Sequence, residues 1–183
     1  MKPKNFFLYI LTISILTLTS CSGMKKSEIE KLNIVKTLDA TKYAGKWHEI
    51  ARFPHSFEKN MVGVTATYSL LPDGRIEVLN AGYMNSLKGK FKSTKAKAKI
   101  PNPAEPGKLK VYFFPLFGAD YFVLELADNY EYALVGSSSY NYLWILNRQP
   151  QMPDSTYTML VEKARARGYD ISKLIKVEQV TSK

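Results

Sequence analysis

The chain of 183 residues is 45% hydrophobic and 23% charged, the composition of one globular domain with a full core, which excludes disorder on a large scale. Its 12 Tyr, 9 Phe and 2 Trp favour half-buried pleated surfaces or a roomy apolar pocket over a tight helical bundle. A formal charge of +10 makes the chain basic, so its compartment decides which anionic partners it meets.

At the N-terminus, Lys2 and Lys4 precede the apolar run FFLYILTISILTL, and a charged segment followed by a short greasy one is the anatomy of an export signal. The run closes at LTSC, residues 18–21, where an aliphatic residue stands three positions before a cysteine. That tetrad resembles the lipobox of bacterial lipoproteins and implies removal of residues 1–20 and lipidation of Cys21. The three acyl chains usual for that class would make a permanent membrane anchor; the alternative is a secreted protein with an incidental cysteine. Cys21 is the single cysteine of the chain, so an intramolecular disulfide and a cysteine metal cluster are both excluded. Residues 21–37, largely SGMKKSEIEKLNIVK, are expected as a lipidated polar tether and residues 38–183 as the folded domain. The chain stays basic without Lys2 and Lys4. Nucleic acid is a poor partner for an exported protein, whereas an anionic membrane surface fits.

Downstream, eight strands are predicted in order: KWHEIARF, VTATYSL, RIEVLNAGYM, KFKSTKAKAKI, KLKVYFF, YFVLELA, YEYALVG and YLWILNR. Turn residues separate them at LPDG (71–74), PNPAEPG (101–107) and FPLFGAD (114–120). The lysine-rich stretch KGKFKSTKAKAK puts Lys88, Lys90 and Lys92 on one strand face and Lys95, Lys97 and Lys99 on the other. It reads either as an attraction for anionic lipid or as a solvated face protected against edge pairing. One helix is expected to start at Pro153 and Asp154, with Tyr157, Leu160, Val161 and Ala164 on one side and Arg165, Arg167 and Gly168 as a cationic, glycine-closed end. IKVEQ would return as a last edge strand.

Eight meandering strands match the number at which a closed barrel holds packed side chains or one small ligand. The fold class is therefore all-β, an eight-stranded antiparallel up-and-down barrel with one C-terminal helix packed outside and a short final strand. Alternation turns Val64, Ala66 and Tyr68 one way, with Ile76, Val78, Asn80, Ala96, Ala98, Leu109, Val111 and Phe113 on the matching parities of their strands. Small and large residues mix in that set, so the lining is uneven and unfilled volume is expected.

The stretches DATKYAGKWHEIARFPHSFEKN, VTATYSL, VLNAGY, YALVGSS and YLWILNR are similar to those of bacterial lipocalins of the outer-membrane lipoprotein type. The resemblance covers roughly residues 38 to 180 and rests on three motifs in order: Gly45 with Trp47, Asp128 to Tyr130, and Arg148. It implies that Gly45 turns the chain into the first strand, that Trp47 plugs the closed end, and that Arg148 lies across the indole. Two departures are visible: His48 replaces a common tyrosine, and Ala127, Asp128 and Asn129 stand for Thr-Asp-Tyr, with Tyr130 one step later. The resemblance also implies binding of a fatty acid, lysophospholipid or similar lipid in the calyx. Each methylene removed from water contributes about 0.8 kcal/mol, so a long chain needs few polar contacts. Asn80 would act as a buried donor and acceptor, Tyr68, Tyr112, Tyr121 and Tyr140 would supply hydroxyls, and the lysine-rich strand would attract an anionic head.

Rival readings are an envelope scaffold with a vestigial pocket, a haem-binding lipocalin using His48 or His55, and a catalytic lipocalin. The thiol a catalytic lipocalin needs is spent on the anchor here, and VGSSSY lacks the Gly-x-Ser-x-Gly elbow with a downstream histidine. No enzymatic activity, metal or cofactor is expected; the sequence leaves a homodimer open.

Overall fold

The computed structural model describes residues 26–114 and 117–180; the signal segment, the lipobox and Cys21 lie outside the described residues. Strand β1 (Gly45–Arg52) begins where Gly45 takes a φ of +96°, a backbone state that side chains disfavour. A Cβ at Gly45 would also sit 3.3 Å from Arg148 Nη1. Strands β2 (Met61–Leu70), β3 (Ile76–Met84), β4 (Phe91–Lys99), β5 (Lys108–Phe114), β6 (Phe117–Leu126), β7 (Tyr132–Gly136) and β8 (Leu143–Asn147) follow as an antiparallel meander. Strand β1 pairs with both β2 and β8, which closes the ring. The expected eight-stranded barrel is therefore the observed one, and closure removes most free strand edges.

Several boundaries differ from the sequence expectation. Strand β2 starts at Met61 rather than Val64, and β7 starts at Tyr132 rather than Tyr130. Strand β6 starts inside FPLFGAD, where Gly118, Ala119 and Asp120 pair with Tyr112, Val111 and Lys110. Gly118 is a turn residue in isolation, but the length of β5 extends the ladder over residues 118–120, and Lys110 fastens Asp120 at 2.5 Å. The final strand β9 is two residues long, Ile175–Lys176, pairing with Ala51 and Arg52. Beyond it the chain fills a seam. Strand β1 pairs with β2 only over Gly45 to His48; above that level Val177 N donates to Ile50 O, Gly63 N to Glu178 O, and Gln179 Nε2 to Glu49 O and Val64 O.

Two cores result. Inside the barrel, Trp47, Tyr68, Val78, Ala98, Leu109 and Val123 pack together. Outside, helix α3 (Asp154–Ala166) lays the fully buried Leu160 and Ala164 against Leu134, Leu143 and Ile145. Strands β7 and β8 are therefore apolar on both faces, and burial of Leu160 alone contributes about 1.5–3 kcal/mol. The cationic helix end is corrected by its geometry: Arg167 is buried, donating to Leu32 O, Leu124 O and Glu125 Oε1 at 2.7, 2.9 and 2.5 Å. The expected tether is likewise more than a spacer. It carries helix α1 (Lys26–Lys31), and Leu32 is fully buried in the outer core. A further short helix, α2 (Ala40–Tyr43), is capped by Asp39, whose carboxylate accepts from Thr41 N and Lys42 N.

Candidate functional site

Helix α2 and the start of β1 cover one end of the barrel. Trp47 is fully buried there, its indole N–H donating to Tyr43 O at 2.8 Å. The Arg148 guanidinium lies 3.9 Å from the centre of the indole ring and donates to Lys42 O, Lys46 O and Tyr130 O. One side chain therefore ties α2, β1 and the β6–β7 turn to the tryptophan. Tyr130, at φ +60°, accepts from Asp39 N through its hydroxyl, whereas Asp128 is exposed in the same turn.

Above this plug stand three tyrosines. The Tyr121 hydroxyl is 2.6 Å from that of Tyr43 and 2.8 Å from that of Tyr68. Burial pushes all three phenols above their ordinary range, because a phenolate would lose its hydration there. The trio packs on from Trp47 and brings hydroxyls as well as rings into the interior.

Strand register places the predicted lining. Trp47 pairs with Ala66, Ala66 with Asn80, Tyr68 with Val78, Val78 with Ala96, Ala98 with Val111, and Leu109 with Tyr121, and paired residues share a face. Val64, Ala66, Tyr68, Val78, Asn80, Ala96, Ala98, Val111, Phe113 and Tyr121 accordingly face inward with Trp47. Ala66, Asn80, Tyr121 and Trp144 are inward and half-buried, whereas Val64, Tyr68, Val78, Ala96, Ala98 and Val111 are buried. Two residues stand elsewhere. Tyr140 sits in the β7–β8 loop with its ring 4.9 Å from Tyr169 in the outer core, and Tyr112 faces outward under the Lys99 ammonium. Tyr140 has a φ of +57°, and that turn carries its ring away from the barrel axis.

The upper half contains a group that alternation did not reveal. A bulge between Glu49 and Ala51 shifts the parity of β1, so Glu49 and Arg52 both point inward, and Arg52 Nη1 donates to Glu49 Oε1 at 2.6 Å. Arg52 Nη2 also donates to Glu58 O and Met61 O, which holds the β1–β2 loop down. Glu58 turns in beneath that loop, 3.8 Å from Arg52 Nε and 2.9 Å from His55 Nε2, without hydrogen-bond alignment at either. Burial, with the Glu58 carboxylate next in weight, holds the Glu49 carboxyl well above its ordinary range, against the pull of Arg52. The sequence signal was present in EIARFPHSFE, but only the bulge puts those charges on one side.

An aromatic ring of residues crowns this group. His55 stacks on Phe57 at 3.7 Å, Tyr142 stacks on Trp144, and Phe57 lies 6.1 Å from both Tyr142 and Phe113. Phe57 and Phe113 remain 51% and 39% exposed. His48 faces outward, its Nδ1 3.2 Å from Gln179 Oε1, and burial lowers its pKa. Two surface clefts, of about 410 and 250 Å³, flank the β1–β2 loop and the start of α3, outside the barrel.

A lipocalin-like domain model matches residues 38–179. Temperature-induced lipocalin-1 of Arabidopsis thaliana is 44% identical over 162 residues, 84% of this chain and 86% of that protein. Outer membrane lipoprotein Blc of Vibrio cholerae is 39% identical over 173 residues, 94% of this chain and 98% of that protein. Among solved structures, lobster apocrustacyanin A1 superposes with a TM-score of 0.65 at 18% identity, covering 87% of this chain and 89% of that chain, a likeness of fold. A plugged barrel with an aromatic mouth, matched over this span of sequence, places the chain in the lipocalin family.

Proposed function

We propose that this lipocalin is a carrier rather than a catalyst, holding a fatty acid, lysophospholipid or similar single-chain lipid in the upper half of its barrel. What supports it is that Ala66, Asn80 and Tyr121 face inward yet stay half-buried, beside the linked hydroxyls of Tyr43, Tyr68 and Tyr121. An acyl chain would replace water at the half-buried Ala66 and Trp144, while the Tyr121 and Asn80 polar groups meet its buried end or a bridging water. The LTSC tetrad and the full-length match to an outer membrane lipoprotein support anchorage through Cys21 in the cell envelope, at the outer membrane.

Native mass spectrometry of the protein purified from its host tests this reading, with acyl chains added when the barrel is found empty. Copurifying or titratable lipid at one copy per chain is expected, and Ala66→Trp, which places an indole in the lumen, is expected to weaken it tenfold or more. A barrel that stays empty with excess lysophospholipid and fatty acid present would favour a scaffold role instead.

A further inference from the structure

The two ends of the barrel differ in charge as well as in shape. The described connections at the open end are residues 53–60, 85–90 and 137–142, with the strand ends that flank them. Within those connections Glu58 is the one acid, and it is buried. The exposed side chains Lys59, Lys88, Lys90 and Lys92 surround the mouth, and no described acid lies within ion-pair reach of them. Among them stand Phe91, 56% exposed, with Phe57 and Phe113. The closed end is more acidic: its connections carry the exposed Asp73, Glu105, Asp128 and Glu131, of which Asp73 pairs with Arg75 and Glu105 with Lys108. Asp170, near the open end, is paired with Lys173, and Glu178 is outnumbered there.

We infer that the open end docks onto an anionic lipid bilayer, mouth first, with Phe57, Phe91 and Phe113 entering the headgroup boundary and Lys59, Lys88, Lys90 and Lys92 resting on lipid phosphates. The β3–β4 hairpin is built for this contact. Its upper half, from Phe91 to Lys95, is exposed on both faces, because β4 pairs with β5 only over Lys97 to Lys99. The hairpin therefore stands above the barrel rim carrying three lysines and an aromatic ring, with Phe91 braced by Tyr83 at 5.4 Å. Each lysine brought to an anionic surface multiplies partitioning by roughly fivefold, so three together contribute about a hundredfold before any aromatic burial. The outward lysines lower on β4 are engaged differently: Lys95 reaches Glu77 and Lys99 covers the Tyr112 ring. Docking of this kind would set the mouth against the bilayer that supplies or receives a lipid. It rests on surface charge and shape, independently of which cargo the barrel holds.

Hydrogen–deuterium exchange of the protein as purified, measured on phosphatidylcholine vesicles with and without 30–40% phosphatidylglycerol (roughly the range in which the surface potential is substantial), tests the inference. Slowed exchange is expected in residues 56–60 and 85–92 on the anionic vesicles, reversed by high salt, with residues 71–75 and 101–107 unchanged. The triple variant K88E/K90E/K92E, all at exposed positions, should keep the wild-type melting temperature and lose the protection. Protection at the closed end, none at either end, or protection that survives the triple variant would overturn it. Because no cargo is needed, an empty barrel that still docks would count against the carrier reading alone.

Discussion

Trp47 and Arg148 show how much a single pair of residues carries. The indole is removed entirely from water, and the guanidinium that covers it is desolvated enough to lower its pKa. Trp47→Ala is expected to cost about 3–5 kcal/mol by loss of burial and the cavity left behind, read from urea unfolding. Arg148→Ala should cost less, and in a double-mutant cycle the two should couple by about 0.5–2 kcal/mol. A second residue-scale prediction concerns Tyr121, which shares its hydroxyl with two neighbours. Tyr121→Phe leaves the Tyr43 and Tyr68 hydroxyls without that partner and should cost about 1–3 kcal/mol near neutral pH. These phenols have raised pKa values in the folded chain. Above about pH 10, the ordinary phenol range, the unfolded chain loses protons that the folded chain keeps. The folded state then binds more protons, so stability falls as pH rises. Unfolding midpoints compared between pH 9 and 11 should drop in the wild type and drop less steeply in the variant.

At the scale of elements, the seam between β1 and β2 is the weak line of the barrel. The two strands pair directly over four residues, and the segment after β9 supplies the remaining links. Gln179 is central because its amide donates to a carbonyl on each strand while its oxygen meets His48. Gln179→Ala should cost about 1–3 kcal/mol by leaving those groups unpaired, and amide exchange at Gly63, whose N–H donates to Glu178 O at 2.6 Å, should quicken. Unchanged exchange at Gly63 would mean that the seam holds without the C-terminal segment. On the opposite side, Arg167 joins α3, β6 and the chain at Leu32 through one guanidinium. Both devices bring a distant part of the sequence to the barrel wall by a planar polar group with several donors.

At the scale of the molecule, a binding barrel and a scaffold barrel differ in what a ligand does to stability. A lipid that binds only the folded chain stabilises it by about 2.7 kcal/mol at a hundred times its dissociation constant. A melting temperature that climbs with added lysophospholipid or fatty acid is therefore the expected outcome, and Ala66→Trp should blunt the rise. The barrel itself was legible because alternation along each strand matched the pleat, and turn residues fell between the strands. The inward parity of the strand positions was legible for the same reason. Tyr140 was not, since a loop residue has no alternation to read, and its outward turn depends on Tyr169 arriving from the far end of helix α3. Glu49 shares the parity of Trp47, but the inward turn of Arg52 was hidden by the bulge between Glu49 and Ala51, which breaks the two-residue period.

The sequence by itself determined the strand order, the closed antiparallel barrel and the outer helix, since each follows from local periodicity or turn chemistry, and the resemblance to lipocalins supplied the Gly45–Trp47–Arg148 plug. Tertiary structure alone decided which charges enter the lumen, how residues 177–179 close the seam, that Arg167 and Leu32 are buried, and that the lysines at 88–92 gather with three phenylalanines around one mouth. Those outcomes depend on bulges, on strand lengths set by partners, and on contacts between residues more than a hundred positions apart, none of which a local pattern records.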